Sequence, residues 1–373
     1  MVSAKTTFES NRTRIKELDA LFERGGLTRG PHRKRIAASR GGRSKKQSSL
    51  SAKKRSGPAT SAPKKPAIKT VGPTILRVPQ WQQYDWLIHG FSTRVGGVST
   101  VYRPRDGKQT CGELNLGSTA ADSPENVKGN RELFVHALLD GSGDTSKSGR
   151  TKITELRLLR QIHSGLVHRT GPEEKSASTT EPLRGDGWIA TEPGALLGIQ
   201  TADCIPVLVV DVRQRIVAAF HAGWRGTLAR IVERGIGSLR AEFGSQPRDL
   251  TAAIGPGIGR CCYSVGEEVR MEFASQFTYA DTLFEEVFDL DPIKEKYPML
   301  FLTARAPGHS NLGPSLHLDL VEANRRQLMD AGIAPERIYA LNLCTACDTG
   351  HFFSHRAEHG FTGRMVSAIG IRP

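Results

Sequence analysis

The chain has 373 residues, with 52 Lys/Arg against 38 Asp/Glu and a net charge of +14. The excess lies in one place: residues 1–72 carry a net of +15, so residues 73–373 come to −1. A near-neutral body argues against a broad polyanion-binding surface, and the lack of any run of about 18 apolar residues argues against a membrane-spanning helix.

Residues 1–72 read as a disordered basic tail. From Arg29 to Pro66 the segment is dominated by Ser, Lys, Arg, Pro and Gly, which bury too little apolar surface to offset the entropy of ordering. Phe8 to Phe22 has the pattern of a short helix without a visible partner. The clusters Arg33-Lys34-Arg35, Lys53-Lys54-Arg55 and Lys64-Lys65 suit nucleic-acid contact or a nuclear address, and a plain solvated linker fits equally well. A mitochondrial transit peptide is disfavoured by Glu9, Glu17, Asp19 and Glu23. No signal peptide precedes the body, and six cysteines in so long a chain do not suggest a disulfide framework. The expected location is cytoplasmic, with nucleic-acid contact through the tail alone.

Residues 73–373 read as a single catalytic domain. An apolar pattern begins at Ile75. Ser123 as N-cap with Pro124 at the first helical position predicts a helix ending near Asp140-Gly141. Polar stretches at Asp140–Arg150 and Gly171–Gly185 read as surface loops. Strands are predicted at Leu196–Gln200, Ile205–Asp211, Ile216–Phe220, Thr251–Ile254 and Arg337–Leu343. After Gly226, the residues Leu228, Ile231, Val232, Ile236, Leu239 and Phe243 share one helical face, with Gly244 as the stop. A last helix runs from Leu320 to Ala331. The fold class is therefore mixed α/β (α+β), with mixed sheets flanked by helices.

Only Asp211–Arg215 connects the runs Ile205–Val210 and Ile216–Phe220. That is too short for a parallel crossover, so they form an antiparallel hairpin. Its centre falls near residue 212 or 213, which makes Cys204 and His221 cross-strand neighbours, with Cβ atoms ~4.5–5.5 Å apart. Such a pair has three readings: a structural contact, a nucleophile with its base, or two metal ligands. His163, in Gln161-Ile162-His163-Ser164, adds a third donor. Three protein ligands leave the fourth tetrahedral position of zinc open, the arrangement of catalytic sites.

A series of motifs runs from His89 to Arg364. It comprises His89–Ser99, Leu114–Gly117 with Asn130-Arg131, Gln161–Ser164, Asp186-Gly187, Thr201–Cys204 and His221–Gly226. It continues with Ile254–Gly259 and Cys262-Tyr263, Leu318–Leu320 with Asn324, and Phe353–Arg356 with Thr362–Arg364. In this order the motifs resemble the YfiH-type family, long described as multicopper polyphenol oxidases or laccase-like and later reassigned as zinc-dependent purine nucleoside phosphorylases. The resemblance implies Zn²⁺ ligation by His163, Cys204 and His221, with Cys204 and His221 catalytic. It implies purine nucleoside and phosphate as substrates, with adenosine, inosine, guanosine and methylthioadenosine cleaved and adenosine also deaminated.

Phosphorolysis needs an anion pocket, for which Arg94, Arg225, Arg356 and Arg364, all near glycine-rich turns or helix starts, are candidates. Gly255–Gly259 reads as a tight loop rather than a dinucleotide fingerprint. Two features depart from the family. The last motif has His355-Arg356-Ala357 where members commonly have Tyr-Arg-Arg. Cys344 and Cys347 form a CxxC which, without a second such motif, reads as an ordinary thiol pair. The rival readings are a cysteine hydrolase built on Cys204 and His221, and a copper-dependent phenol oxidase. The latter is disfavoured because multicopper centres need many histidines.

Overall fold

The computed structural model describes residues 72–102, 112–140, 155–170, 182–287 and 315–373. The basic tail and most of the two polar stretches lie outside the described residues.

Two sheets face each other. The first has the order Ile75–Leu76, Leu87–Ser92, Met365–Ile371, Ala195–Thr201, Glu155–Leu158 and is antiparallel except at the last pair. The second has the order Ile338–Ala340, Leu250–Ile254, Ile205–Asp211, Ile216–Ala222, Gly187–Ala190, Val167–Arg169, with parallel pairs only at its two edges. Side chains alternate across each strand. Leu208, Val210, Val217 and Ala219 meet Phe91, Leu197, Ile199 and Ile369 between the sheets. Their neighbours Val207, Val209, Ala218 and Phe220 face outward, under the helices Ile231–Phe243 and Leu320–Asp330. On the far side, Phe134 and Leu138 of the helix Pro124–Asp140 cover Ile88, Leu196, Val366 and Ala368. The result is a four-layer stack of helix, sheet, sheet and helices. Because both faces of the hairpin strands are covered, every residue from Ile205 to Asp211 and from Ile216 to Ala222 is buried.

The mixed α/β class and the antiparallel hairpin agree with the sequence reading. Ser123 caps its helix, its Oγ accepting from Asn126 N at 3.1 Å. Gly244 ends the helix Ile231–Phe243 with φ +68°, a left-handed conformation that costs glycine nothing.

Three details differ. The helix expected from Gly226 is two helices, Trp224–Leu228 and Ile231–Phe243, broken at Arg230, whose φ is 56°. The strand expected over Arg337–Leu343 is limited to Ile338–Ala340. The hairpin centre lies between residues 213 and 214, because Ile216 pairs with Asp211 and His221 with Pro206. The Asp211 carboxylate accepts from the backbone N–H groups of Arg213 and Gln214 at 3.0 and 2.8 Å, and Arg215 is left-handed at φ 57°. These contacts build a four-residue loop. Cys204 therefore sits opposite Gly223, and His221 is its diagonal neighbour.

Candidate active site

Two of the chain's crossings between the sheets meet at one end of the stack. Residues 202–204 join Ala195–Thr201 of the first sheet to Ile205–Asp211 of the second. Residues 159–166 join Glu155–Leu158 of the first to Val167–Arg169 of the second. Cys204 lies on one crossing, His163 on the other, and His221 closes the neighbouring strand. The Gln161 side chain clasps the crossings together, donating to Gln200 O at 2.8 Å and accepting from Gln200 N at 2.7 Å. The corner at Asp203 is sharp, with φ 97°, a conformation that a non-glycine residue holds only when its surroundings fix it. Here Thr345 Oγ1, Ser354 Oγ and Arg356 N each donate to the Asp203 carboxylate at 2.7 Å.

The donor atoms of His163, Cys204 and His221 lie within 4.8 Å of one another, so the structure brings this trio together. Cys204 Sγ is 3.8 Å from His163 Nε2, near the ~3.6 Å sulfur–nitrogen separation expected around tetrahedral zinc. The two imidazoles meet edge to face at 4.8 Å. Gly223, opposite Cys204, leaves the space they need: a Cβ there would stand 2.8 Å from Cys204 Sγ and 3.0 Å from His163 Cδ2.

Asp186 organises the set. It is fully buried and accepts from the backbone N–H groups of Ile162, His163 and Ser164, from Ser164 Oγ, and from His221 Nδ1 at 2.8 Å. A carboxylate can only accept here, so His221 carries its proton on Nδ1 and turns Nε2 toward the centre. Burial alone would raise the Asp186 pKa, but His221 and the donors of Ser164 outweigh it and hold the group at about 2. Burial likewise works against charge on the other two. The positive charge of His221 nonetheless brings the Cys204 thiol down to about 6, and the charge of Cys204 together with Asp186 brings His221 up to about 9. The thiol is therefore disposed to ionise near neutral pH, as a metal ligand or a nucleophile must.

The four arginines part company. Arg225 is exposed, its guanidinium 4.3 Å over the Trp224 ring. Arg356 donates to Ser264 O and Oγ at 2.8 and 2.9 Å and lies 5.3 Å over the Tyr263 ring. Burial pushes the Tyr263 phenol up to about 12 and the nearby Cys204 charge adds to this, while Arg356 and Arg225 oppose. Tyr263 thus lies within electrostatic reach of Cys204, Arg225 and Arg356. Arg94, by contrast, is buried within the scaffold, and all three of its nitrogens donate to protein: to Glu113, to Glu358, and to the carbonyls of Thr349 and Phe352. Arg364 is half-buried, covers Gly117 and donates to the carbonyls of Thr362 and Gly363.

The CxxC is more than a thiol pair. Cys344 and Cys347 meet Cys261 and Cys262, and the four sulfurs lie within 4.8 Å of one another.

Comparison with known proteins gives the family. Residues 88–372 match the family described as multi-copper polyphenol oxidoreductase laccase. The chain belongs to this family. A Deinococcus radiodurans purine nucleoside phosphorylase is 33% identical over 285 residues, covering 76% of this chain and 88% of the relative. The Escherichia coli purine nucleoside phosphorylase YfiH is 30% identical over 295 residues, covering 79% and 98%. The crystal structure of the Bacillus licheniformis hypothetical protein YfiH superposes with a TM-score of 0.63 at 28% identity, covering 81% of this chain and 97% of that one.

The family motifs contained residues whose roles the sequence did not disclose. Asp186 stood in an Asp-Gly dipeptide, and an acid just before a buried strand was the available signal. Gly223 and Tyr263 stood beside His221 and Cys262 with no hint of what they touch. Among the described residues no helix is long and apolar enough to cross a membrane.

Proposed function

We propose that this family member is a zinc-dependent purine nucleoside phosphorylase, converting adenosine, inosine, guanosine or methylthioadenosine and phosphate to free base and the ribose 1-phosphate, with adenosine deamination as a second activity. The observation that carries the reading is the convergence of His163, Cys204 and His221 within 4.8 Å, with Arg225 on the helix that follows His221 and the Arg356 backbone bound to Asp203, the neighbour of Cys204.

The donor set fits zinc: one thiolate, two imidazoles, and a carboxylate fixing the second imidazole from behind. Bound there, zinc supplies Lewis acidity at a fourth position open to substrate or water. Asp186 holds the His163 loop and keeps the proton of His221 on Nδ1. Arg225 and Arg356 supply the positive charge that holds phosphate as its oxygen bonds to C1′ and the bond from C1′ to the purine nitrogen breaks. Tyr263, protonated at neutral pH, offers a hydrogen-bond donor to the substrate. Arg94 is assigned to the scaffold because it is buried and each of its three nitrogens already donates to protein, and Arg364, engaged with its own loop, is a lesser candidate for phosphate. A multicopper centre finds no support: the other ligand cluster among the described residues contains cysteines and no histidine.

Chromatography of the products from adenosine and inosine, with and without phosphate, tests the reading. Base release should depend on phosphate and yield ribose 1-phosphate, and Cys204→Ala should abolish it together with the zinc of this site. Base release that ignores phosphate would mean a hydrolase. Inosine as the sole product from adenosine would mean a deaminase. Turnover by zinc-free protein that still requires Cys204 would favour the Cys204–His221 nucleophile pair. No turnover of any nucleoside by zinc-loaded protein would refute the assignment.

A further inference from the structure

We propose that Cys261, Cys262, Cys344 and Cys347 bind a second zinc ion as a closed tetrathiolate, a structural site separate from His163, Cys204 and His221. Two segments far apart in the chain supply the ligands. Backbone hydrogen bonds dock them, Gly257 N to Leu343 O at 3.2 Å and Thr345 N to Gly257 O at 3.0 Å. Cys347 Sγ then lies 3.4 Å from the sulfurs of both Cys261 and Cys262, and all four sulfurs fall within 4.8 Å. With Zn–S bonds of about 2.3 Å, a tetrahedral ZnS₄ centre has sulfur–sulfur edges of ~3.8 Å, so the cluster is the right size for one metal ion.

Three further observations favour a metal over ordinary thiols or disulfides. Gly259 N–H points at Cys344 Sγ at 3.2 Å, the backbone donation that supports a sulfur carrying negative charge. Gly259 also brings its backbone close to the sulfurs, since a Cβ there would make tight contacts, 3.2 Å from Cys261 Sγ and 3.3 Å from Cys344 Cβ. Cys347 is equally close to two sulfurs, which singles out neither as a disulfide partner but suits one vertex of a tetrahedron. An all-sulfur donor set selects a soft or borderline cation over magnesium or calcium, and four protein ligands with no open position mark a structural site.

The site has a mechanical consequence for the first one. It joins the loop after Leu250–Ile254 to the loop after Ile338–Ala340, two strands at a parallel sheet edge. Tyr263 follows Cys262 directly. Thr345, inside the CxxC, donates to the carboxylate of Asp203, the strained residue preceding Cys204. Zinc binding replaces thiol protons and closes this assembly.

Elemental analysis of full-length protein, purified without added metal or chelator, tests the assignment. The chain should hold two zinc ions, and the C204A/H221A variant one. X-ray absorption at the zinc edge of C204A/H221A should then show sulfur neighbours only, four of them at about 2.3 Å. This reading stands even if the first site fails, because it is made without it. Cys344→Ser/Cys347→Ser should lose one zinc of the two. If that variant does not fold, the absorption measurement decides. The proposal is overturned by a C204A/H221A protein that lacks zinc or holds it on nitrogen or oxygen, or by iron in its place. Denatured native protein in which any of the four cysteines resists alkylation until a reductant is added would also overturn it, since that marks a disulfide.

Discussion

Replacing Asp186 by Asn removes one charge and one acceptor oxygen at a group that holds five donors. The least disruptive orientation keeps the amide oxygen toward His163 N and His221 Nδ1, 3.0 and 2.8 Å away in the native protein. The amide NH₂ then faces Ser164 N, formerly 2.6 Å from Oδ2. The Ser164 hydroxyl can turn to accept, but the backbone N–H cannot, and a buried donor left unpaired costs ~1–3 kcal/mol. Losing the charge-assisted bond to His221 brings the total to about 2–4 kcal/mol. A second route gives a similar size. Asp186 falls from 3.8 to about 2 on folding, and as a depressed carboxyl its stabilisation is present above 3.8 and lost as the pH falls through about 2. At neutral pH that contribution is roughly 2 kcal/mol, undiminished by solvent because the side chain is fully buried. Zinc affinity at the first site should also fall by about 10–100-fold, since a neutral amide no longer raises the basicity of His221 as the carboxylate does. Urea unfolding of metal-free protein at pH 7 reads the first effect, and competition with a chromophoric chelator reads the second. A variant within about 0.5 kcal/mol of native stability and about twofold of native zinc affinity would refute the hub role of Asp186.

Gly223 has φ −71°, so alanine fits its backbone, yet the new methyl group would press on Cys204 and His163. Gly223→Ala should therefore leave the melting temperature nearly unchanged while weakening zinc binding at least about tenfold, and unchanged affinity would show that the trio does not close around a metal. His89 is buried and pushed down to about 4 by burial and by Arg77. The unfolded chain takes up that proton near 6.5, so stability should fall by up to about 3 kcal/mol as the pH drops from 6.5 to 4. An imidazole that titrates near 6.5 by NMR in the folded protein would contradict this. Deleting residues 1–71 should leave melting temperature and turnover unchanged and reduce salt-dependent polyanion binding, so a large fall in melting temperature would show that the tail packs on the body.

Some of this was legible in the sequence because it depends on neighbours along the chain. The short connection after Asp211 dictated a hairpin, apolar periodicity from Leu228 to Phe243 placed a helix after Gly226 without its break at Arg230, and Ser123-Pro124 marked a helix start. Motif order pointed to the family, and with it to His163, Cys204 and His221. Register was less accessible. The Asp211 turn and the left-handed Arg215 shift the hairpin centre by about one residue, which moves the partner of Cys204 from His221 to Gly223.

What only the tertiary structure decided lies between segments far apart in the chain. Met365–Ile371, rich in small residues, gave no strong strand signal, yet it lies at the centre of its sheet, between Leu87–Ser92 and Ala195–Thr201. Arg94 and Arg356 look alike as letters in motifs. One is enclosed by Glu113 and Glu358, while the other reaches Ser264 over the Tyr263 ring. A CxxC with no matching CxxC read as an ordinary thiol pair, because its partners Cys261 and Cys262 are brought to it by the parallel pairing of Leu250–Ile254 with Ile338–Ala340. Local sequence specifies turns, caps and faces through short-range sterics and hydrogen bonds. Which faces meet is set by packing the whole core, and the Asp186 hub and the four-cysteine cluster exist only after that packing is complete.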